Sequence, residues 1–383
     1  MSNVKEVLLL GSGHANIQVL HHLATLDRST FHLTLISESW LSPYSGMIPS
    51  YLAGVYEFNE LQFDLSQICH RLGHDFVKAT VSSINGTEKR VVTSDGKKWP
   101  YDICSINLGC RPVEIAAAPL AKVLYLKPIH QFLQAWDSLL EWVALREVEK
   151  PLRVVFVGGG AAAFEVAIAC RHYFGDRAII HVVAGGRRGG FSSNDKSSTS
   201  GFLAQFSWLA RLLAKRSLRR LSISLSEGFD VARINQEEVV LENNKTIAAD
   251  VTFIATGARA PDFFKKSGLP VDAHGFIEIT ETLLVRGQSH LFAAGDCAHF
   301  LPRPLAKSGV YAVREGSVLK QNIAVLLQAT PSLKAFIPAR HTLALLSSER
   351  GEAIAVFGWF AVRSKWAWWL KNKIDLNFMA RYG

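Results

Sequence analysis

Cysteine is scarce in this chain, five in 383 residues, and the odd count with no CxxC spacing argues against both a disulfide framework and a zinc site. No metal centre is expected, and the implied compartment is reducing. Apolar runs of the roughly 20 residues needed to cross a bilayer are missing too. The N-terminus enters a strand within a few residues, which leaves no room for a secretory leader, so a cytoplasmic protein is the expectation. Helix-turn-helix, RRM and zinc-finger patterns are absent, and the formal net charge of +9 is therefore not read as a nucleic-acid footprint. Basic residues gather at Arg187-Arg188, between Arg211 and Arg220, and along the C-terminal tail. Anionic lipid or dinucleotide phosphates suit them better than nucleic acid, and a plainly solvated basic surface is the competing account. With 49% hydrophobic residues, the chain can build about two or three domains, each with its own core.

What is present is a pair of glycine-rich turns. Gly11-Ser12-Gly13-His14-Ala15-Asn16 follows the apolar run Val7-Leu8-Leu9-Leu10, and Gly158-Gly159-Gly160-Ala161-Ala162-Ala163 follows Val154-Val155-Phe156-Val157. A tight turn from strand to helix lets backbone approach a pyrophosphate, and the helix N-terminus supplies N–H groups and a positive dipole end. Two such turns in one chain point to two dinucleotides held face to face, as electron transfer from nicotinamide to flavin requires. After the first turn, Val19, Leu20, Leu23 and Leu26 recur at helical spacing, and the strand Leu33-Thr34-Leu35-Ile36 delivers Glu38, placed to accept both ribose hydroxyls. Asn16 stands where a third glycine is usual, yet the helix must still pack closely on its strand.

Further on, His290-Leu291-Phe292-Ala293-Ala294-Gly295-Asp296 reads as a buried strand ending in Gly-Asp, with a helix starting near Lys307-Ser308-Gly309. Gly295 allows close approach, the Asp296 carboxylate can bind a ribitol hydroxyl, and the helix aims its positive end at the flavin edge where charge collects on reduction.

These motifs, with Ile254-Ala255-Thr256-Gly257 and its degenerate counterpart Ile106-Asn107-Leu108-Gly109, resemble the pyridine nucleotide-disulfide oxidoreductase superfamily over nearly the whole chain. Within it the sequence is most similar to type II NADH dehydrogenases. More narrowly it resembles the flavoprotein module found fused ahead of selenide, water dikinase, through Gly13-His14-Ala15, Ser42 to Met47, Gly309 to Arg314, and the tail Ile374-Asp375 to Phe378-Met379. The resemblance implies an α/β fold of two Rossmann-like domains, the second inserted into the first, plus a small C-terminal region. It implies FAD held by Gly11, Gly13, His14, Asn16, Glu38, Tyr44, Gly109, Gly295, Asp296 and Ser308, and NADH or NADPH held by Gly158, Gly160, Ala163, Arg187 and Gly257. The expected domains are 1–118 with 248–329 for FAD, 119–247 for NAD(P), and 330–383 for the C-terminal region. Gly185 to Ser200 reads as a mobile loop. The strand Ala178 to Val183 ends without an acid beside Arg187-Arg188, which would tolerate a 2′-phosphate, so the nicotinamide cofactor is left open; a degenerate lobe without a ligand is the alternative.

Disulfide reductases of the superfamily carry a cysteine pair against the flavin, but the corresponding stretch here, Ser42 to Leu52, has none. Cys104 and Cys110 lie roughly 20 Å apart along an extended strand, beyond disulfide reach, and Cys297 reads as a packing residue. Electrons would then pass directly from flavin to an acceptor. By resemblance to the type II enzymes that acceptor is a quinone, Glu165 orients the nicotinamide, and Lys307 stabilises a reduced flavin or a quinol oxygen. This chain has Ala306-Lys307-Ser308-Gly309 where those enzymes show an Ala-Gln-x-Ala-like stretch. In the tail, Trp366, Trp369, Leu370, Ile374 and Phe378 fall at helical spacing, with Lys371, Asn372, Asp375 and Arg381 off the stripe. Aromatic residues beside lysines suit a helix lying flat on the inner face of a cell membrane; packing on the protein's own core or in a homodimer is the competing account. The alternatives to a quinone reductase are a slow flavin-bound module linked to selenium metabolism and a sulfide-oxidising relative using Cys110 and Cys297.

Overall fold

In a computed structural model of the chain, residues 4–146, 150–186, 201–328 and 332–383 are described. The first unit begins with β1 (Lys5–Leu10), α1 (His14–Leu23), β2 (Phe31–Ser37), α2 (Ile48–Leu52), β3 (Asp75–Lys78) and β4 (Ile103–Ile106). The second holds β5 (Val123–Tyr125), α3 (Ile129–Ala144), β6 (Leu152–Val157), α4 (Ala161–Phe174), β7 (Ala178–Ala184), α5 (Trp208–Arg220), β8 (Ser224–Glu227) and β9 (Val251–Ile254). The chain then returns to the first unit with β10 (Leu291–Ala293) and α6 (Gly309–Leu327). It ends in β11 (Ala344–Ser347), β12 (Ala353–Phe357), β13 (Phe360–Ser364) and α7 (Lys365–Tyr382).

Two parallel five-stranded sheets organise the molecule, in the orders β10-β4-β1-β2-β3 and β5-β9-β6-β7-β8. Their central strands are continuous apolar runs because helices and ribbons cover both faces: Val7 to Leu10 and Val154 to Val157 are all buried. This is the expected pair of Rossmann-like units. β9 pairs with β6, Val154 opposite Val251, so by sheet pairing the second unit runs to Ile254, beyond the boundary drawn at 247. In both sheets the glycine turns leave the C-terminal ends of the central strands, the edge where ligands bind in open α/β sheets.

The C-terminal sheet β11-β12-β13 is antiparallel and α7 packs across it. Ser364 caps α7, its side chain accepting from the Ala367 N–H. Among the described residues no helix is long and apolar enough to cross a membrane.

Candidate functional site

The first turn is built around an amide. Asn107 Oδ1 accepts from the N–H groups of Ala15, at 3.1 Å, and Asn16, at 3.3 Å, while its Nδ2 donates to the Ala294 carbonyl at 2.6 Å. A Cβ on Gly13 would lie 2.2 Å from Asn107 Oδ1, and one on Gly11, where φ is +82°, would lie 2.6 Å from the Asn107 carbonyl. Both glycines are therefore required by this close approach. Asn16 is fully buried. Its Nδ2 donates to Gly11 O at 2.9 Å and Leu10 O at 3.1 Å, and its Oδ1 accepts from Ser105 Oγ at 2.7 Å. It pins helix to strand where a third glycine would have let them touch. Glu38 is exposed one residue past β2, at the strand end where an acid can meet ribose hydroxyls.

Gly295, at φ +72°, turns the chain after β10, and its N–H donates to Glu315 Oε2 at 2.6 Å. Burial pushes the Glu315 carboxyl up to about 7. Asp296 faces Lys127, whose Nζ lies 2.5 Å from Oδ2 and 3.4 Å from Cys110 Sγ. Burial pushes the Asp296 carboxyl up, but Lys127 outweighs it, with Lys307 helping, and holds the group below the usual carboxylate range. Lys307 itself donates to the Ala298 carbonyl and sits over the Phe276 ring, 4.0 Å from its centroid. Ser308 is the N-cap residue of α6, with no side-chain cap bond of its own. Gly109, at φ +72°, has open space where a Cβ would stand.

The four segments that carried the narrower resemblance meet in one place. His14 Nε2 lies 3.1 Å from Ser45 Oγ, and its ring lies 5.0 Å from Tyr44 and 5.5 Å from Phe378. A Cβ on Gly309 would come within 3.3 Å of the same imidazole. Burial lowers the His14 pKa to about 4, so the ring is neutral at pH 7. Burial, with the Asp375 carboxylate beside it, raises the Tyr44 phenol.

This convergence corrects the reading of the tail. Phe378 does not share an outward stripe with Trp366 and Trp369; it packs inward on Tyr44, His14 and Phe63. Lys371 and Asp375, expected off the apolar face, are both buried. Lys371 Nζ donates to Asp375 Oδ2 at 2.8 Å and to the Gly46 carbonyl at 2.6 Å. A buried pair is tolerated when its remaining hydrogen-bonding capacity is met, and Gly46 helps to meet it here. Trp366, Trp369 and Ile374 remain outside, 58%, 53% and 46% exposed.

At the second turn, a Cβ on Gly158 would lie 2.3 Å from the Ala255 carbonyl, whereas Gly160 and Gly257 open onto free space. That opening beside the N-terminus of α4 fits a pyrophosphate, and Ala163 is buried against the sheet. A Cβ on Gly185 would lie 2.3 Å from Asp230 Oδ1. An acid thus does stand at the end of β7, contributed by the loop after β8 rather than by β7 itself. Arg187 and the segment to Ser200 lie outside the described residues. Glu165 Oε1 accepts from the Ser347 N–H at 2.7 Å; burial raises its pKa, with Lys371 opposing.

All five cysteines are buried and free. Cys297 Sγ is turned onto the carbonyls of Ala294 and Ile106, and burial pushes its thiol up to about 12. Burial pushes Cys110 up to about 11 although Lys127 opposes it. Neither is a ready thiolate at neutral pH. Among the described residues no His, Cys, Asp or Glu cluster could hold a metal ion.

Sequence reasoning missed Lys127, the hub role of Asn107, Glu315, Asp230 and the inward Lys371–Asp375 pair. Only the last left a trace, its i, i+4 spacing, which an exposed pair shares. Gly109, Asp296, Lys127 and the adjacent N-terminus of α6 together offer an acceptor for hydroxyls, a cation and a helix dipole. That donor set fits a flavin dinucleotide.

The model of the pyridine nucleotide-disulphide oxidoreductase family matches residues 5–316. The type II NADH:quinone oxidoreductases of Staphylococcus saprophyticus and Staphylococcus epidermidis are 21% and 23% identical, each over 99% of this chain and 96% of their own length. Among solved structures, the sulfide:quinone oxidoreductase of Aquifex aeolicus superposes with a TM-score of 0.80 at 17% identity, covering 99% of this chain and 91% of that one. NDH2 of Plasmodium falciparum in complex with NADH superposes at 0.78 and 15% identity, covering 100% and 99%. Two glycine turns on two parallel sheets, the Gly295-Asp296 strand end and a family match over most of the sequence agree: the chain belongs to the pyridine nucleotide-disulphide oxidoreductase family.

Proposed function

We propose that this chain is an FAD-dependent oxidoreductase that passes electrons from NADH to a quinone at a membrane surface. One observation carries the reading: two parallel sheets present separate glycine turns, while the loop between β2 and α2 that would carry a redox dithiol holds Tyr44, Ser45 and Gly46 instead. The names of the staphylococcal relatives support the same donor and acceptor. Bound FAD supplies the two-electron exchange between nicotinamide and acceptor.

The protein's part is positioning and electrostatics. Glu38 would hold the ribose hydroxyls of the flavin dinucleotide and Asp296 a ribityl hydroxyl, with the positive end of α6 available to stabilise charge gained on reduction. Glu165, oriented by the Ser347 N–H, stands at the nicotinamide end of α4, where burial favours its holding a proton. The stacked Phe378 and Tyr44 rings would help to exclude water from the flavin site.

Exposed Trp359 and Phe360 at the β12–β13 turn join Trp366, Trp369 and Ile374 as apolar groups able to enter a headgroup layer on the inner face of the cell membrane. Lys365 and Lys373 accompany them, Lys373 Nζ lying 4.9 Å from the Trp369 ring centroid. Anaerobic mixing of the FAD-loaded protein with NADH should bleach the flavin absorbance, and a short-chain quinone should restore it. Full FAD occupancy with no bleaching by NADH or NADPH would overturn the reading.

A further inference from the structure

Asp296 is a carboxylate committed to ionisation inside a groove that must also receive electrons. By itself it would oppose them, because a fixed negative charge disfavours charge arriving on a neighbouring flavin. The structure answers with a cation from the other unit. Lys127 lies between β5 and α3, 169 residues from Asp296 in sequence, and its Nζ is 2.5 Å from Asp296 Oδ2. Its side chain keeps 37% exposure and that of Asp296 keeps 19%, so the pair borders accessible space rather than being sealed in the core. Lys307, which also lowers the Asp296 pKa, is turned to the Ala298 carbonyl and the Phe276 ring.

We infer that Lys127 is a flavin-positioning residue: paired with Asp296 it forms a net-neutral clamp that leaves Oδ1 for a ribityl hydroxyl and removes the electrostatic penalty on flavin reduction. The assignment rests on the flavin reading above. It places the compensating cation at Lys127, whereas the resemblance pointed to Lys307 as the group that stabilises a reduced flavin or a quinol oxygen. It also makes the cofactor site a property of both units, since the cation comes from the segment that opens the second sheet.

The pair predicts opposite signs. Lys127→Met leaves an uncompensated carboxylate and shifts the flavin midpoint potential to more negative values, with FAD binding weakened about tenfold. Asp296→Asn leaves an uncompensated ammonium and shifts the potential to more positive values. The double variant returns the potential toward that of the parent protein, although FAD binding stays weak. Lys127→Arg keeps both potential and affinity near the parent's, which a residue needed only for packing shape would not do.

The measurements are fluorescence titration of the apoprotein with FAD and dye-equilibrated spectroscopic titration of the loaded protein. Loss of FAD from Lys127→Met together with retention in Lys127→Arg also supports the clamp. Shifts of the same sign in the two single variants, or a larger negative shift in Lys307→Met than in Lys127→Met, overturn it. A parent protein that takes up no FAD overturns the flavin reading itself, which separates the two failures.

Discussion

Phe378 stacks on Tyr44, ring centroids 4.8 Å apart and planes 22° from parallel, so the last helix closes on the loop between β2 and α2. Removing that ring opens a path to His14. Phe378→Ala should cost about 2 kcal/mol, less than for a fully enclosed ring, and weaken FAD retention. Deleting residues from Ser364 onward should cost more, since it also strips Lys371 from the Gly46 carbonyl and Arg71 from its bond to the Gly383 carbonyl. Thermal melts with and without added FAD test this, and a truncated protein that melts like the full chain would contradict it.

Gly160 has open space where a side chain would project, at the N-terminus of α4. Gly160→Val should therefore fold and keep FAD, yet lose most flavin reduction by NADH because the isopropyl group takes pyrophosphate space. Stopped-flow reduction is the test. Unchanged kinetics would remove this turn from nicotinamide binding.

Glu315 makes a pH signature. Its folded pKa, about 7, lies above the ordinary 4.5, so the folded state binds the proton more tightly than the unfolded one. Stability from this group is full below about pH 4.5, declines as pH rises to about 7 and is flat beyond, a loss on the order of 3 kcal/mol. Glu315→Gln keeps an acceptor for the Gly295 N–H and should flatten that part of the profile, leaving the variant the more stable at pH 8. Melts of both proteins between pH 5 and 8 that run parallel would refute the assignment.

The buried thiols should resist alkylation. With Cys110 held up near 11 and Cys297 near 12, iodoacetamide at pH 7.5 should label neither in the folded protein and all five cysteines in denaturant. Rapid labelling of Cys110 would reopen a sulfur chemistry.

The outward tryptophans test the membrane proposal independently of the flavin. Replacing Trp359, Trp366 and Trp369 by Ser should weaken binding to anionic vesicles by about 1 kcal/mol per ring while the protein's melting temperature stays nearly unchanged. Vesicle binding that is absent in the parent, or insensitive to all three, would leave this surface without a lipid role.

The sequence was most legible where local chemistry repeats a physical requirement. The apolar strands before both glycine turns, the strand end at Gly295-Asp296 and the helix start at Ser308 all stand where periodicity and punctuation put them. Long-range partners were not legible. Lys127 reaches Asp296 across a whole inserted unit, and Asp230 reaches Gly185 from a separate loop; no local pattern encodes either pairing. The tail fails differently. Its i, i+4 Lys371–Asp375 pair reads as a solvated face, and only the Gly46 carbonyl, more than 300 residues away, turns that face inward and sends Phe378 with it.

The Asn107 amide ties the leading turn of α1 to the end of β10 through bonds that need no ligand. The binding edge of the first unit is consequently pre-organised: the glycine turn and the Gly-Asp turn are locked to one another before a cofactor arrives. Little ordering entropy is left for binding to oppose. The same lock joins segments from opposite ends of that unit into one cooperative block, so the edge should open to hydrogen exchange in a single step rather than fray loop by loop.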